Sequence, residues 1–215
     1  MNVIVSAVVA IVLSYLAGAI PTSLAVGKLF FKTDIRRHGS GNAGATNVFR
    51  VFGWKAGVAV IVVDIGKGVA AVLLIAQLGT EAMGPYTSQL SAAVAAVIGH
   101  IWTVFAGFRG GKGVGTAAGA LAALHPLALF GAVLVFAVLL TTTGYVSVGS
   151  LSGAIAFPVL VWLFDISRTV PTPPGFLYFS IAVALVVFFS HRTNIRRLLA
   201  GTENRFDRIR IFRPR

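Results

Sequence analysis

Seven apolar runs, at about 3–27, 57–78, 86–106, 113–124, 127–142, 146–164 and 176–190, alternate with short polar segments along the 215-residue chain. A membrane-crossing helix needs roughly 20 apolar residues, with a range of about 17–25. The first three runs and the sixth meet that length, whereas 113–124 and 127–142 are short and are separated by His125-Pro126. Met-Asn-Val opens the first run without a basic n-region, and Lys28, Lys32, Arg36 and Arg37 follow it. That order predicts a retained span with its N-terminus outside, not a cleaved signal peptide. No linker, low-complexity tract or repeat of about 20–50 residues divides the chain, so a single helical-bundle domain over 1–215 is expected.

Composition strengthens the membrane reading, since 57% of residues are hydrophobic and 11% charged, against about a quarter charged in soluble domains. The absence of cysteine excludes disulfides and thiolate metal sites. Four histidines, at 38, 100, 125 and 191, and six acids form no cluster with metal-ligand spacing. No metal and no cofactor are expected.

The net charge of +12 would point to nucleic acid in a soluble protein, but here its placement matters more. With seven crossings from an outer N-terminus, the loops at 28–56, 107–112 and 143–145 and the tail from 191 face the cytoplasm. They carry 16 of the 18 lysines and arginines, including eight arginines in the tail from Arg192 to Arg215. Arg168 alone lies outside and Lys67 lies within a span, as the positive-inside rule favours. Joining 113–142 into one helix would send those eight arginines outside, so the break at His125-Pro126 is kept. The chain is therefore predicted to be all-α and polytopic, with seven transmembrane helices and a cytoplasmic C-terminus. Membrane lipid, not nucleic acid, is its expected surroundings.

Three cytoplasmic segments share one chemistry. GSGNAGATNVFR, residues 39–50, has glycines that can adopt positive φ and turn successive N–H groups into one concavity. Ser40, Asn42, Thr46 and Asn47 add neutral hydrogen-bonding groups, and Arg50 a planar cation suited to phosphate. An anion cradle and a solvated loop with basic anchors both fit that composition. In GHIWTVFAGFRGGKGVGT, residues 99–116, Gly113 stands where a nucleotide-binding P-loop requires a hydroxyl after the lysine, so an NTPase loop is not supported. Gly110, Gly111, Lys112 and Gly113 nonetheless lead into an apolar segment whose helix N-terminus can face an anion. In SHRTNIRRLLAGTENRF, residues 190–206, a helix starting near Ser190 puts His191, Asn194 and Arg197 on one face, with Glu203 in a following turn suited to an arginine partner. Arginines 205–215 read as an anionic-lipid anchor.

Other polar positions have plainer readings. Asp64 and Lys67 are i,i+3 partners inside a span, where an unpaired charge is costly, and read as a self-neutralising structural pair. His38, His100 and His125 read as hydrogen-bonded packing residues. Ser147 and Ser150 mark the cytoplasmic end of a span.

Two function classes follow: an enzyme acting on phosphorylated substrates at the cytoplasmic face, or a transporter of a small anion. A transporter concentrates polar groups near the midplane and commonly shows related halves. Crowding of polar groups on one face favours the enzyme, and a bare scaffold would not explain three such segments.

GSGNAGATNVFR, GHIWTVFAGFRGGKGVGT and HRTNIRRLLAGTE resemble, in this order and at these separations, the three signature motifs of the bacterial acyl-phosphate:glycerol-3-phosphate acyltransferases, the PlsY family. DIGKG and YVSVGS resemble intervening segments, so the likeness runs from about residue 10 to 205. The chain departs at Thr103, where many members have proline, at Gly115, where alanine is usual, and at Gly144, where a basic residue often precedes the tyrosine.

The resemblance implies transfer of a fatty acyl group from acyl phosphate to the 1-hydroxyl of glycerol 3-phosphate, giving lysophosphatidic acid and phosphate in phospholipid biosynthesis. It implies a bacterial inner-membrane enzyme of seven helices with its active site on the cytoplasmic face, and leaves an acyl-phosphate-producing enzyme as an open partner. By motif matching, Gly110, Gly111, Lys112 and Gly113 hold the acyl-phosphate phosphoryl group. Ser40, Gly41, Asn42, Gly44, Thr46, Asn47 and Arg50 bind phosphate and position the glycerol, His191 and Asn194 complete the site, and Ser150 is a further candidate. The hydroxyl proton goes either to a substrate phosphate oxygen or to His191.

Overall fold

The computed structural model of the protein describes residues 2–170 and 172–206, and among them there are helices and no strand. In chain order these are α1 Val3–Ala19, α2 Thr22–Phe31, α3 Ala45–Phe52, α4 Trp54–Leu73, the single-turn α5 Thr80–Met83, α6 Pro85–Ile101, α7 Val114–Leu124, α8 Pro126–Thr143, α9 Val146–Ile166, α10 Phe176–Ser190 and α11 Arg192–Leu199. Each of the seven apolar runs is helical, but they are not seven equal spans. Among the described residues, five candidate spans are long and apolar enough to cross: Val3–Phe31, Trp54–Met83, Pro85–Ala106, Pro126–Thr143 and Val146–Ile166. Phe176–Ser190 makes a sixth if it is joined to Arg192–Leu199 across a 60° bend. The 11 residues of α7, at about 1.5 Å rise each, cover roughly half of a hydrocarbon core about 30 Å thick.

Two breaks have local causes. The first apolar run divides at Ile20-Pro21, because proline supplies no N–H and disfavours helix in the residue before it. At the expected break, His125 N-caps α8: its Nδ1 accepts from Ala128 N at 3.2 Å, and Pro126 takes the first helical position. The ring of His125 also stacks on Phe164 and Phe176, in keeping with a packing role.

The chain forms two compact units, Met1–Leu124 and His125–Arg215. In the first, α1 lies along α6 and α4 lies along α7, with α3 laid on α4. Small residues set these spacings. A Cβ on Gly18 would collide with the Ala96 backbone, and one on Gly68 with the Thr116 carbonyl. Without a hydrophobic drive between helices in lipid, such close backbone approach is what holds them. In the second unit α9 packs against α8 and α10, and α11 follows α10. Large apolar side chains such as Ile4, Val62, Val138 and Leu185 stay exposed, as lipid-facing residues do. The arginines at 208, 210, 213 and 215 lie outside the described residues.

Candidate active site

The first-motif loop is organised by Asn47. This side chain, 2% exposed, donates to the carbonyls of Ile35, His38 and Asn42 at 3.2, 2.9 and 3.0 Å, and its Oδ1 accepts from Ser40 N at 2.9 Å. Those contacts fold residues 35–42 around one amide, and the left-handed Gly39 and Gly41 (φ 59° and 75°) turn the chain there. Gly44 opens α3, which places Thr46 and the half-buried Arg50 four residues apart on one helix face. Ser40 and Asn42 are partly exposed on the same loop. Asn47 thus spends its polar atoms on the loop itself.

A clamp ties this loop to the second motif. Asp34 caps the 3₁₀ turn Ile35–Arg37 and holds the Arg36 guanidinium at 2.7 Å, while Arg36 also donates to the Ala106 carbonyl at 3.0 Å. The Arg36 hydrogen bond holds the Asp34 carboxyl at about 2, below its ordinary 3.8. A lowered carboxyl stabilises the fold fully above about pH 4 and loses that contribution as pH falls through about 2. Thermal unfolding should therefore show the parent more stable than Asp34→Asn at neutral pH, and the gap should shrink as pH falls through about 2; a gap undiminished from neutral pH to about 2 would refute the assignment.

In the second motif the glycines serve close approach before anything else. Gly110 N donates to the Ile101 carbonyl at 3.0 Å and Gly111 N to the His100 carbonyl at 3.1 Å, so the loop doubles back on the end of α6. A Cβ on Gly110 would strike the His100 carbonyl, and one on Gly111 would strike Nε2 of the His100 ring. Those two N–H groups are committed to backbone. Gly113 (φ 79°) turns the chain into α7, whose first N–H groups, as at any helix start, have no intrahelical partner; Lys112, just before it, is half-buried. Gly110 and Gly111 thus spend their N–H groups on the end of α6, and the partly exposed Lys112 stands next to Gly113 at the α7 start. At Thr103, where the family pattern has proline, the buried hydroxyl donates to the Ala19 carbonyl at the end of α1.

Behind the loop lies a polar cluster only partly expected from sequence. Lys67 Nζ is 2.9 Å from Asp64 Oδ1, as the i,i+3 spacing predicts, and also donates to the Ile20 carbonyl at the Pro21 break, at 3.1 Å. Thr22 donates to Asp64 Oδ1 at 3.1 Å, and His100 Nδ1 lies 3.1 Å from Thr116 Oγ1 and 3.7 Å from Asp64 Oδ1. A cavity about the size of one water is lined here by Thr22, Ser23, Ala43, Asp64, His100, Gly110 and Gly111. Ser23 Oγ is buried there without a hydrogen-bond partner among the described protein atoms. Sequence reading missed Thr22, Ser23 and Thr116; two hydroxyls directly after a proline in an apolar run were the available signal.

In the second unit, His191 is the hinge residue between α10 and α11, and it and Asn194 are buried together on one face. His191 Nδ1 meets the Val187 carbonyl at 2.8 Å, which puts the proton on Nδ1 and makes Nε2 the basic nitrogen of the neutral ring. Glu203 finds two neutral donors, not the expected arginine: Asn194 Nδ2 at 2.6 Å and Ser147 Oγ at 3.2 Å. Ser150 is buried one turn after Ser147 on α9. Beyond Glu203, Arg205 donates to the Thr143 carbonyl at 3.0 Å and Phe206 N to the Gly144 carbonyl at 2.9 Å.

Residues 8–201 match the family described as glycerol-3-phosphate acyltransferase. The chain is 44% identical over 218 residues to the glycerol-3-phosphate acyltransferase of Chlorobaculum parvum, covering 91% of this chain and 94% of the relative. It is 43% identical to the glycerol-3-phosphate acyltransferase of Chlorobaculum tepidum, over 92% and 95% of the two chains. Among solved structures it is similar to the integral membrane glycerol 3-phosphate acyltransferase PlsY. In that protein's glycerol 3-phosphate form the TM-score is 0.82 at 34% identity, over 94% of this chain and 96% of that one. In its lysophosphatidic acid form the TM-score is 0.79 at 33% identity, over 94% and 95%.

Proposed function

Because the chain belongs to the PlsY family of integral membrane glycerol-3-phosphate acyltransferases, we propose that it transfers a fatty acyl group from acyl phosphate to the 1-hydroxyl of glycerol 3-phosphate, releasing 1-acylglycerol 3-phosphate and inorganic phosphate. The observation that carries the reading is the clamp in the first unit, where Arg36 joins the Arg50-bearing loop to the Lys112-bearing loop. Two cationic, glycine-turned loops held together suit a reaction in which both substrates carry phosphate. The likeness to a protein known in glycerol 3-phosphate and lysophosphatidic acid forms supports acceptor and product.

Lys112, Gly113 and the α7 start take the phosphoryl group of the donor, with Gly110 and Gly111 fixing them from behind. Arg50, with Thr46, Ser40, Gly41, Asn42 and Gly44, takes the acceptor phosphate, and Asn47 shapes that loop. By the family resemblance, His191, Asn194 and Ser150 also serve the reaction. The hydroxyl oxygen attacks the acyl carbon, the carbon–oxygen bond to phosphate breaks, and phosphate leaves with the electron pair. The hydroxyl proton passes to a phosphate oxygen or to His191 Nε2. Acyl phosphate is already activated, so no acyl-enzyme is needed, and positioned positive charge supplies much of the rate.

The proposal includes one domain over 1–215, both units being needed for turnover, and seven crossings of the bacterial inner membrane. The concentration of basic residues in alternate loops supports an outer N-terminus, a cytoplasmic C-terminus and a cytoplasmic active face. The test is purified protein in lipid with palmitoyl phosphate and glycerol 3-phosphate. Phosphate and lysophosphatidic acid should appear in equal amounts without ATP, CoA or carrier protein; turnover only when one of these is added would overturn the donor.

A further inference from the structure

At the end of α6 four successive carbonyls, from His100 to Thr103, each accept a hydrogen bond. Gly111 N donates to His100 at 3.1 Å, Gly110 N to Ile101 at 3.0 Å, and Phe108 N to Thr103 at 2.8 Å. The Tyr15 hydroxyl of α1 takes the remaining one, donating to the Trp102 carbonyl at 2.6 Å. A helix end leaves such carbonyls without intrahelical donors, so the second-motif loop is folded back onto α6 by supplying them.

Two side-chain hydroxyls fasten that folded loop to α1: Tyr15, and Thr103, which is 1% exposed and donates to the Ala19 carbonyl. The acceptor exists because of Pro21. Proline has no N–H, α1 and α2 part there, and the carbonyls at the end of α1 lose their helical donors. Lys67 Nζ of α4 takes the neighbouring Ile20 carbonyl at 3.1 Å. The break in the first apolar run is thus a dock, with α4 tied to one carbonyl and the second motif to the one before it.

We propose that Thr103 is a positioning residue of the acyl transfer, with Tyr15 as its second point of attachment. Together they hold the loop that carries Lys112 in register with the end of α1. The role rests on the reading of Lys112 as a residue of the site, and it holds for either substrate phosphate. A hydroxyl that served folding alone would leave the KM values of the folded molecules where they were.

In the lipid assay with palmitoyl phosphate and glycerol 3-phosphate, Lys112→Gln identifies the substrate this lysine serves, as the one whose KM rises. Thr103→Val has the same shape without the hydroxyl. It should raise that same KM about tenfold, the scale on which a small misplacement acts, and change the other less than about twofold. Thr103→Ser keeps the hydroxyl and should recover most of the loss. Tyr15→Phe should shift the same KM in the same direction, which decides the matter if Thr103→Val fails to fold. Amide hydrogen exchange gives a readout free of turnover: Thr103→Val should speed it over 104–113 and leave α4 unchanged. Absence of palmitoyl phosphate turnover in the parent would refute the donor, and unchanged kinetics in Lys112→Gln would refute the reading of Lys112; in both cases exchange alone then decides whether Thr103 fastens the loop. Equal effects on the two KM values, Thr103→Ser no better than Thr103→Val, or exchange unchanged over 104–113 would each overturn the role of Thr103.

Discussion

Arg50→Ala should cut kcat/KM for glycerol 3-phosphate by about 10²–10³-fold, the usual loss when one positioned donor to a charged reacting group is removed. Arg50 lies in the last turn of α3, four residues after Thr46, on the loop that Asn47 and the Arg36 clamp hold in place. A cation at a helix C-terminus also favours the helix, but by only about 0.3–1 kcal/mol. The catalytic loss corresponds to about 2.7–4 kcal/mol, so activity should fall far more than stability. Arg50→Lys should recover part of the rate, since it restores charge without the two-pronged fit to phosphate. Rates unchanged in Arg50→Ala at an unchanged melting temperature would remove this residue from the acceptor site.

The second large effect is on folding. Lys67→Met leaves the Asp64 carboxylate buried with the Thr22 hydroxyl and no cation at 2.9 Å, and breaking such a pair costs about 3–5 kcal/mol. Asp64→Asn together with Lys67→Met removes both charges and keeps an acceptor for Thr22, so most of that loss should return. Thermal unfolding of the three variants in detergent checks the prediction. A single variant as stable as the parent, or a double variant no better than Lys67→Met, would show that the pair is not held as a pair.

Much of the fold was legible because lipid rewards continuous apolar runs, and each of them is helical, the first as two helices. The His125-Pro126 break was legible too, though the reason lies partly in an N-cap that the histidine ring makes with Ala128 N. The break at Ile20-Pro21 was passed over, because apolar residues continue across it and hydropathy does not register a missing N–H. The motif loops were recognisable from glycine, asparagine and basic residues, but not the division of labour within them. Nothing local shows that Gly110 and Gly111 donate to carbonyls at 101 and 100, or that Asn47 faces inward. The Arg36 bond to the Ala106 carbonyl joins residues 70 apart, and such a contact exists only once the helices have set the loops side by side. The nearness of His100 to Gly111 was hidden for the same reason, being a tertiary fact.

The placement of Asp64 and Lys67 on one helix has a consequence for biogenesis. Each charge alone would add about 2.5–3.5 kcal/mol to insertion at a helix centre, but an i,i+3 pair can neutralise itself inside a single segment before any neighbour is present. The second apolar segment can therefore enter the bilayer as it leaves the ribosome, following the first segment that carries Ile20 and Thr22. Those two partners precede it in the chain. Moving the lysine to a later helix would keep the final ion pair and forfeit that order of assembly.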